Sequence, residues 1–83
     1  MNELARTPKQ IGNSIRRARK KRGLSQTELG RITRQRQEMI SLIENGNAAT
    51  RIDTLLAILA ALELHFEIAP RVQDWRQEMI QSL

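Results

Sequence analysis

The chain has 83 residues, enough for one small domain whose apolar core is marginal in size, so self-association or an obligate partner is expected. Fourteen Lys and Arg against nine Asp and Glu give a formal net charge of +5, which favours a polyanionic partner such as nucleic acid or an acidic membrane surface. There is no cysteine, so disulfides, thiol catalysis and cysteine metal sites are excluded.

The first predicted element is a helix that begins at Pro8 and stops at Gly23, after a flexible N-terminus of residues 1–7. Its apolar residues recur at helical spacing, and Arg19 lies one turn after Ile15 on this apolar side. Arg19 is therefore a cation that needs a partner within the fold.

A short second helix is predicted from the sequence SQTE at 25–28 to about Ile32. SQTE is a capping box, in which the first and last side chains each accept a hydrogen bond from the other's backbone N–H. Leu29 and Ile32 are predicted to face inward. Gly30 predicts the close approach of another helix, because glycine inside a helix costs about 1 kcal/mol relative to alanine.

The third and fourth predicted helices differ in the distribution of their apolar residues. The third, over about residues 36–44, is polar at its start and apolar at Ile40 and Ile43, and ENGN at 44–47 ends it. The fourth, over about residues 51–62, is apolar on most sides and is predicted to be the centre of the core.

Beyond the fourth helix the apolar period changes to two, in the sequence LELHFEIAP. This alternation predicts a strand in a chain that has no second strand, so we expect it to pair with the same strand of a second copy. The residues predicted at this dimer interface are Leu64, Phe66 and Ile68. A short final helix is predicted from Pro70 onwards.

Two short helices joined by a tight connection form a helix-turn-helix, in which the start of the second helix enters the DNA major groove. The residues predicted to contact bases are Arg36, Gln37, Glu38 and Met39. Gln suits adenine, Glu accepts from the cytosine amino group, Arg donates to guanine and Met can touch a thymine methyl. The alternatives are core packing for Met39, a phosphate contact for Arg36 and a purely electrostatic role at the helix start for Glu38.

The sequences QTELGRI and QEMISLIENG resemble the phage-repressor type of helix-turn-helix, the family called Cro or XRE. The matching positions are Gln26, Gly30, Ile40, Ser41, Ile43, Glu44, Asn45 and Gly46, and the resemblance covers roughly residues 9–62. It implies an all-α fold with a four-helix repressor-type DNA-binding domain over 8–62. The dimerisation strand and the final helix would then occupy 63–83.

The resemblance also implies roles for particular side chains, with Gln26 on a phosphate and with Ser41 and Asn45 facing the DNA backbone. Together with the basic run RRARKKR, whose alternative is a solvated helix face, the predicted phosphate contacts are Lys20, Ser25, Gln26, Arg34, Ser41, Asn45 and Asn47. Many members link an arginine of helix one to the glutamate that ends helix three. Here these residues are Arg19 and Glu44, and we predict a largely buried ion pair between them.

The sequence departs from the family pattern at the turn. The family's Gly or Asn followed by an aliphatic residue is replaced by Arg34 and Gln35, and the usually apolar position before them is Thr33. Either the turn is altered or the second helix is longer. Leu42 also stands where members often carry a polar residue that contacts DNA.

The sequence LAALELHFEIAP resembles the HipB antitoxins, whose dimers pair one C-terminal strand from each subunit. This resemblance implies a sequence-specific dimeric repressor that autoregulates its operon and neutralises a HipA-like kinase toxin. Trp75 and Met79 are predicted to contact the toxin, with packing on their own domain as an equal alternative. The alternative functions are a stand-alone phage or restriction-type regulator and a protein-interaction module without DNA binding.

Enzymatic activity is not expected. There is no Gly-rich phosphate loop, no nucleophile with an adjacent base and no acidic cluster, and His65 has no companion ligands for a metal. MNELARTPKQ lacks a signal sequence, and the apolar run LLAILAAL is far shorter than the roughly 20 residues of a membrane span. We therefore expect a cytoplasmic, nucleoid-associated protein without a cofactor.

Overall fold

The computed structural model describes residues 4–70, and these residues form four α-helices, as predicted. The helices are α1 (Pro8–Lys21), α2 (Gln26–Thr33), α3 (Gln37–Glu44) and α4 (Ile52–Ala61). The final helix predicted from residue 70, with Trp75 and Met79, lies outside the described residues. Between residues 4 and 70, no helix combines the length and apolarity needed to cross a membrane.

The first two helices begin with capping boxes. Thr7 caps α1, where its hydroxyl accepts from Gln10 N at 3.1 Å and its own N–H donates to Gln10 Oε1 at 3.1 Å. The box predicted for α2 is present: Glu28 N donates to Ser25 Oγ at 3.0 Å and Ser25 N donates to Glu28 Oε1 at 2.9 Å. Hydrogen bonds from the Ser25 backbone N–H and hydroxyl lower the pKa of Glu28.

All four helices end in the same backbone arrangement, a Schellman motif, in which a residue of positive φ follows the helix. These residues are Gly23 (φ 70°), Arg34 (58°), Gly46 (91°) and Glu63 (57°). The next N–H then donates back to a carbonyl near the helix end: Leu24 to Arg19 at 3.1 Å, Gln35 to Gly30 at 2.7 Å, Asn47 to Leu42 at 2.9 Å and Leu64 to Leu59 at 2.8 Å. Two helices therefore end on a residue that carries a side chain in a conformation that favours glycine.

The core is formed by all four helices and contains the buried residues Ile15, Leu29, Ile40, Ile43, Ile58, Leu59 and Leu62. The prediction that α4 is buried on most sides is wrong for Ile52 and Leu56, which lie one turn apart and are 72% and 47% exposed. Only α2 packs substantially against α4 among these elements, which leaves one side of α4 uncovered.

The prediction that Ile32 faces inward is also wrong, because its side chain is 58% exposed. The inward side of α2 is centred among Leu29, Gly30 and Thr33. Ile32 lies about a third of a turn away from that centre, since each helical residue rotates the chain by about 100°. The position is thus at the edge of the buried side rather than within it.

Two glycines allow backbone segments to approach closely. A Cβ on Gly12 would lie 2.6 Å from the Glu44 carbonyl oxygen, so α1 rests directly on the C-terminal end of α3. A Cβ on Gly30 would lie 2.5 Å from the Gln35 carbonyl oxygen. The close approach predicted at Gly30 therefore exists, but the neighbour is the turn that follows α2 and not another helix.

Candidate nucleic-acid interface

The connection between α2 and α3 is short and consists of residues 34–36. Arg34 has φ 58° and ψ 38°, the left-handed conformation that the Gly or Asn usual at this place would adopt readily. α2 ends at Thr33, so the second helix is not extended. The turn keeps its backbone geometry and replaces a small residue with an exposed cation.

One side of α3 is buried and the other faces outward. Ile40, Ile43 and Glu44 are buried. The outward side carries Glu38, Leu42 and Asn45, which are exposed, flanked by the half-buried Gln37 and Ser41. Of the predicted base contacts, Arg36 and Glu38 are exposed and Gln37 is half-buried, whereas Met39 packs against the core. The structure therefore favours the core alternative for Met39.

Arg19 of α1 and Glu44 of α3 form the ion pair that was predicted for them. Arg19 Nε lies 2.6 Å from Glu44 Oε2, and Arg19 Nη2 lies 3.0 Å from Glu44 Oε1. Both residues are buried, at 8% and 1% exposure, and Arg19 Nη1 also donates to the Leu24 carbonyl oxygen at 2.8 Å. The pair ties α1 to the end of α3.

Burial alone would raise the pKa of Glu44, but hydrogen bonds from Arg19, Gln26 and Arg16 outweigh it and hold the pKa below its ordinary value. The hydrogen bond to Glu44 raises the pKa of Arg19. Both groups therefore remain charged at neutral pH. The Glu44 carboxylate, which can only accept hydrogen bonds, is the centre of the network beneath α3.

Gln26 connects this carboxylate to the predicted base-reading residue. Its Nε2 donates to Glu44 Oε1 at 3.1 Å, and its Oε1 accepts from Gln37 Nε2 at 2.6 Å. Because a carboxylate has no proton to donate, Gln26 must turn its amide nitrogen towards Glu44 and its oxygen towards Gln37. Gln37 is left with its Oε1 and one N–H, the pair that matches the N6 donor and N7 acceptor of adenine.

Arg16 is a residue of this network that the sequence interpretation missed. Its Nε lies 3.3 Å from Glu44 Oε1, and its Nη2 donates to Asn45 Oδ1 at 3.0 Å. The available signal was its spacing, because Arg16 precedes Arg19 by one helical turn and so shares its side of α1. Within a run of similar basic residues, that spacing could be interpreted only once a partner on α3 was known.

The predicted phosphate contacts lie in the last turn of α1, at the two ends of α2, and within and after α3. Lys20, Ser25, Arg34 and Asn45 are exposed, whereas Gln26, Ser41 and Asn47 are half-buried. Besides Gln26 and Asn45, whose partners are given above, Ser25 and Asn47 have structural partners: Ser25 Oγ accepts from Glu28 N, and Asn47 Oδ1 accepts from Ala49 N at 3.3 Å. Asn45 Nδ2 lies 3.5 Å from Ser41 Oγ, which brings these two predicted contacts together.

Residues 64–70 follow α4 without regular secondary structure in the single chain described. Phe66 is 44% exposed and Ile68 is fully exposed. Leu64 is half-buried and packs against the core of its own chain, and its N–H closes the α4 Schellman motif. Arg22 Nη2 lies 2.9 Å from Glu63 Oε2, which ties the start of this segment to the end of α1.

Among residues 4–70, no group of three or more His, Cys, Asp or Glu side chains is arranged to hold a metal ion. His65 is exposed.

Residues 15–68 match the model of the helix-turn-helix family HTH_3. Among solved structures, the chain is similar to a HipB variant in a complex with an O2 20mer (TM-score 0.77), to an MDT protein (0.74) and to the HipB-containing structure of a HipA–HipB–O2–O3 complex (0.74). In each case the sequences are 28% identical, and the alignment covers 84% of this chain and 97% of the other. Among curated proteins, none matches.

Proposed function

Because the chain belongs to the XRE/Cro-type helix-turn-helix family, whose members bind DNA and are not enzymes, we propose that it is a dimeric, sequence-specific transcriptional repressor. The observation that carries this proposal is the outward side of α3, where Gln37 is held by Gln26 and Glu38 is exposed at the helix start. These are residue types that read base edges in the major groove. The operator is a palindrome whose half-sites lie about one helical turn or a multiple apart.

The base contacts in this proposal are Arg36, Gln37 and Glu38. Exposed cations at Lys20, in the last turn of α1, and at Arg34, in the turn before α3, supply the sequence-independent attraction to phosphate. Phosphate positions the protein on the duplex, whereas the three residues at the start of α3 select the sequence.

The experiment that tests this function is binding to the DNA upstream of the protein's own gene, compared with a scrambled duplex, across several salt concentrations. Strong preference for the upstream DNA, with a steep salt dependence on both duplexes, is the expected result. Equal affinity for both duplexes would contradict the repressor and favour a protein-interaction module.

Arg34→Gly is expected to change stability and DNA affinity in opposite directions. A side chain in the left-handed region costs roughly 1–2 kcal/mol, which glycine would relieve. Glycine in turn costs roughly 0.5–1 kcal/mol, because it loses more conformational freedom on folding than other residues do. The free energy of unfolding should thus rise by about 0.5–1 kcal/mol, as measured by urea denaturation. DNA affinity should fall alike on all sequences, with a salt slope about one unit flatter.

The matched control is Glu63→Gly, because Glu63 has the same backbone conformation at the end of α4. It should gain stability, since the ion pair that it removes, between Glu63 and Arg22, is exposed and contributes little, and it should leave the DNA affinity unchanged. An unaltered salt slope for Arg34→Gly would show that Arg34 does not contact phosphate.

The dimer in this proposal forms through the segment after α4. Its support is the alternating sequence at 62–70 and the exposure of Phe66 and Ile68 in the single chain, together with the uncovered Ile52 and Leu56 on α4. Pairing of the segment with its copy would satisfy its backbone groups and cover these apolar side chains.

Phe66→Asp is expected to yield monomers in light scattering, because it would place a carboxylate in an apolar interface. His65→Asp is the control, since it introduces the same group on the alternate side of the segment and should leave the dimer intact. A dimer that survives Phe66→Asp would exclude this segment from the interface.

The similarity to the HipB chains supports a narrower proposal, in which the protein is the antitoxin of a toxin–antitoxin operon. It would repress its own promoter from the cytoplasm and neutralise a HipA-like kinase toxin, with Trp75 and Met79 as toxin contacts. Co-purification with a kinase encoded beside it would test this role. A stand-alone phage or restriction-type regulator would bind its operator and have no such partner.

A further inference from the structure

Asn45 follows α3 at its exposed end and accepts a hydrogen bond from Arg16 of α1, which joins it to the network around Glu44. A carboxamide can bind in either of two orientations, because its oxygen and nitrogen have the same shape and opposite hydrogen-bonding character. Its contact with a phosphate requires the nitrogen to face the DNA, since phosphate oxygens only accept. Something must therefore fix the orientation of Asn45.

Arg16 is placed to do this. A guanidinium only donates, so the atom of Asn45 that lies 3.0 Å from Arg16 Nη2 must be the oxygen, Oδ1. The nitrogen, Nδ2, is then turned to the other side, where the Ser41 hydroxyl lies 3.5 Å away. Ser41 and Nδ2 of Asn45 together form a pair of donors at the outward side of α3.

Arg16 is itself held in place. Its Nε lies 3.3 Å from the buried Glu44 carboxylate, and its own side chain is 37% exposed. The two arginines at Glu44 therefore have different roles: Arg19 neutralises the carboxylate inside the fold, whereas Arg16 connects the carboxylate to Asn45. The close approach of α1 to the end of α3 at Gly12 sets the distance that Arg16 has to span.

We propose that Arg16 is a positioning residue for DNA binding, which fixes the Asn45 amide with its nitrogen towards a phosphate rather than contacting the phosphate itself. The inference rests on the proposed DNA-binding function and adds a residue to it. It assigns a role to one cation of the basic run that differs from the role of Lys20.

The test is a double-mutant cycle on affinity for the upstream DNA, with Arg16→Met, Asn45→Ala and the combined variant. Arg16→Met should weaken binding by about threefold to tenfold per half-site, the worth of one oriented hydrogen bond. In the Asn45→Ala background the same change should have no further effect, because the group that Arg16 orients is gone. Additive losses would overturn the proposal.

The salt dependence provides a second readout. Under the proposal, Arg16→Met leaves the salt slope unchanged, whereas Lys20→Met, the control, flattens it by about one unit. A slope that flattens equally for Arg16→Met would make Arg16 a direct phosphate contact and would overturn the positioning role.

A third measurement uses the free protein and therefore does not depend on DNA binding. In nitrogen–proton NMR spectra, Arg16→Met should shift the Asn45 side-chain amide signals, while Lys20→Met should leave them in place. Unmoved Asn45 signals would overturn the proposal. Absence of any preference by the wild-type protein for the upstream DNA would instead be a failure of the proposed function.

Discussion

Glu44→Ala is expected to lower the free energy of unfolding by about 3–5 kcal/mol, the loss associated with leaving one partner of a buried ion pair uncompensated. Arg19 is 8% exposed and would keep its charge with only the Leu24 carbonyl as an acceptor. The Gln26 amide would lose its acceptor as well. For a domain of this size, the loss is a large part of the whole stability, which is about 0.05–0.15 kcal/mol per residue.

The measurement is thermal and urea denaturation of the wild type and the variant. Asp53→Ala is the matched control, because it also removes a carboxylate paired with an arginine, but the Arg51–Asp53 pair is exposed at 81% and 69%. An exposed pair contributes little, so this variant should melt close to the wild type. A wild-type-like melting point for Glu44→Ala would refute the buried pair.

The pH dependence of stability gives an independent check of the same group. The pKa of Glu44 is lowered in the folded state, so its contribution to stability is fully present above its unfolded pKa and is lost as the pH falls through the folded value. The difference in unfolding free energy between wild type and Glu44→Ala should therefore be constant near neutrality and shrink in acid. A difference that persists unchanged in acid would mean that its origin is not the charge of Glu44.

Local features of the sequence predicted much of this fold. The SQTE box, the four helices and the partner of Arg19 all follow from short patterns, and each of these patterns constrains residues that are close in the chain or fixed by a family motif. At the turn, Arg34 departs from the family's Gly or Asn, yet the backbone there keeps the left-handed conformation. Periodicity alone could not distinguish the edge of a buried side from its centre, which is why Ile32 was misplaced.

Contacts between helices that are distant in the sequence were harder to predict. Whether Arg16 faces solvent or Glu44 depends on how closely α1 approaches α3. Gly12 allows that approach, but the sequence around Gly12 does not indicate which helix it contacts. The exposure of Ile52 and Leu56 likewise depends on which helices cover α4. The sequence shows that these residues are apolar, but it does not show which neighbouring helix, if any, covers them.

Replacement of Gln37 and Glu38 by alanine is expected to have the largest effect on DNA recognition. Each good bidentate base contact contributes about 1–3 kcal/mol of discrimination, so the preference for the upstream DNA over a scrambled duplex should largely disappear in the double variant. The single variants should identify separate base pairs. Gln37→Ala should remove a preference for adenine, because Gln26 leaves Gln37 one N–H and its oxygen free.

Stability should change little in these variants, since Glu38 is exposed and Gln37 is half-buried at the start of α3. Lys20→Ala is the control, and it should weaken binding to both duplexes equally while it preserves their ratio. The affinity ratio of the two duplexes thus separates loss of base reading from loss of general attraction. If the double variant kept the wild-type ratio, sequence would be read by groups outside the start of α3, and the Gln26–Gln37 hydrogen bond would serve only to hold α2 against α3.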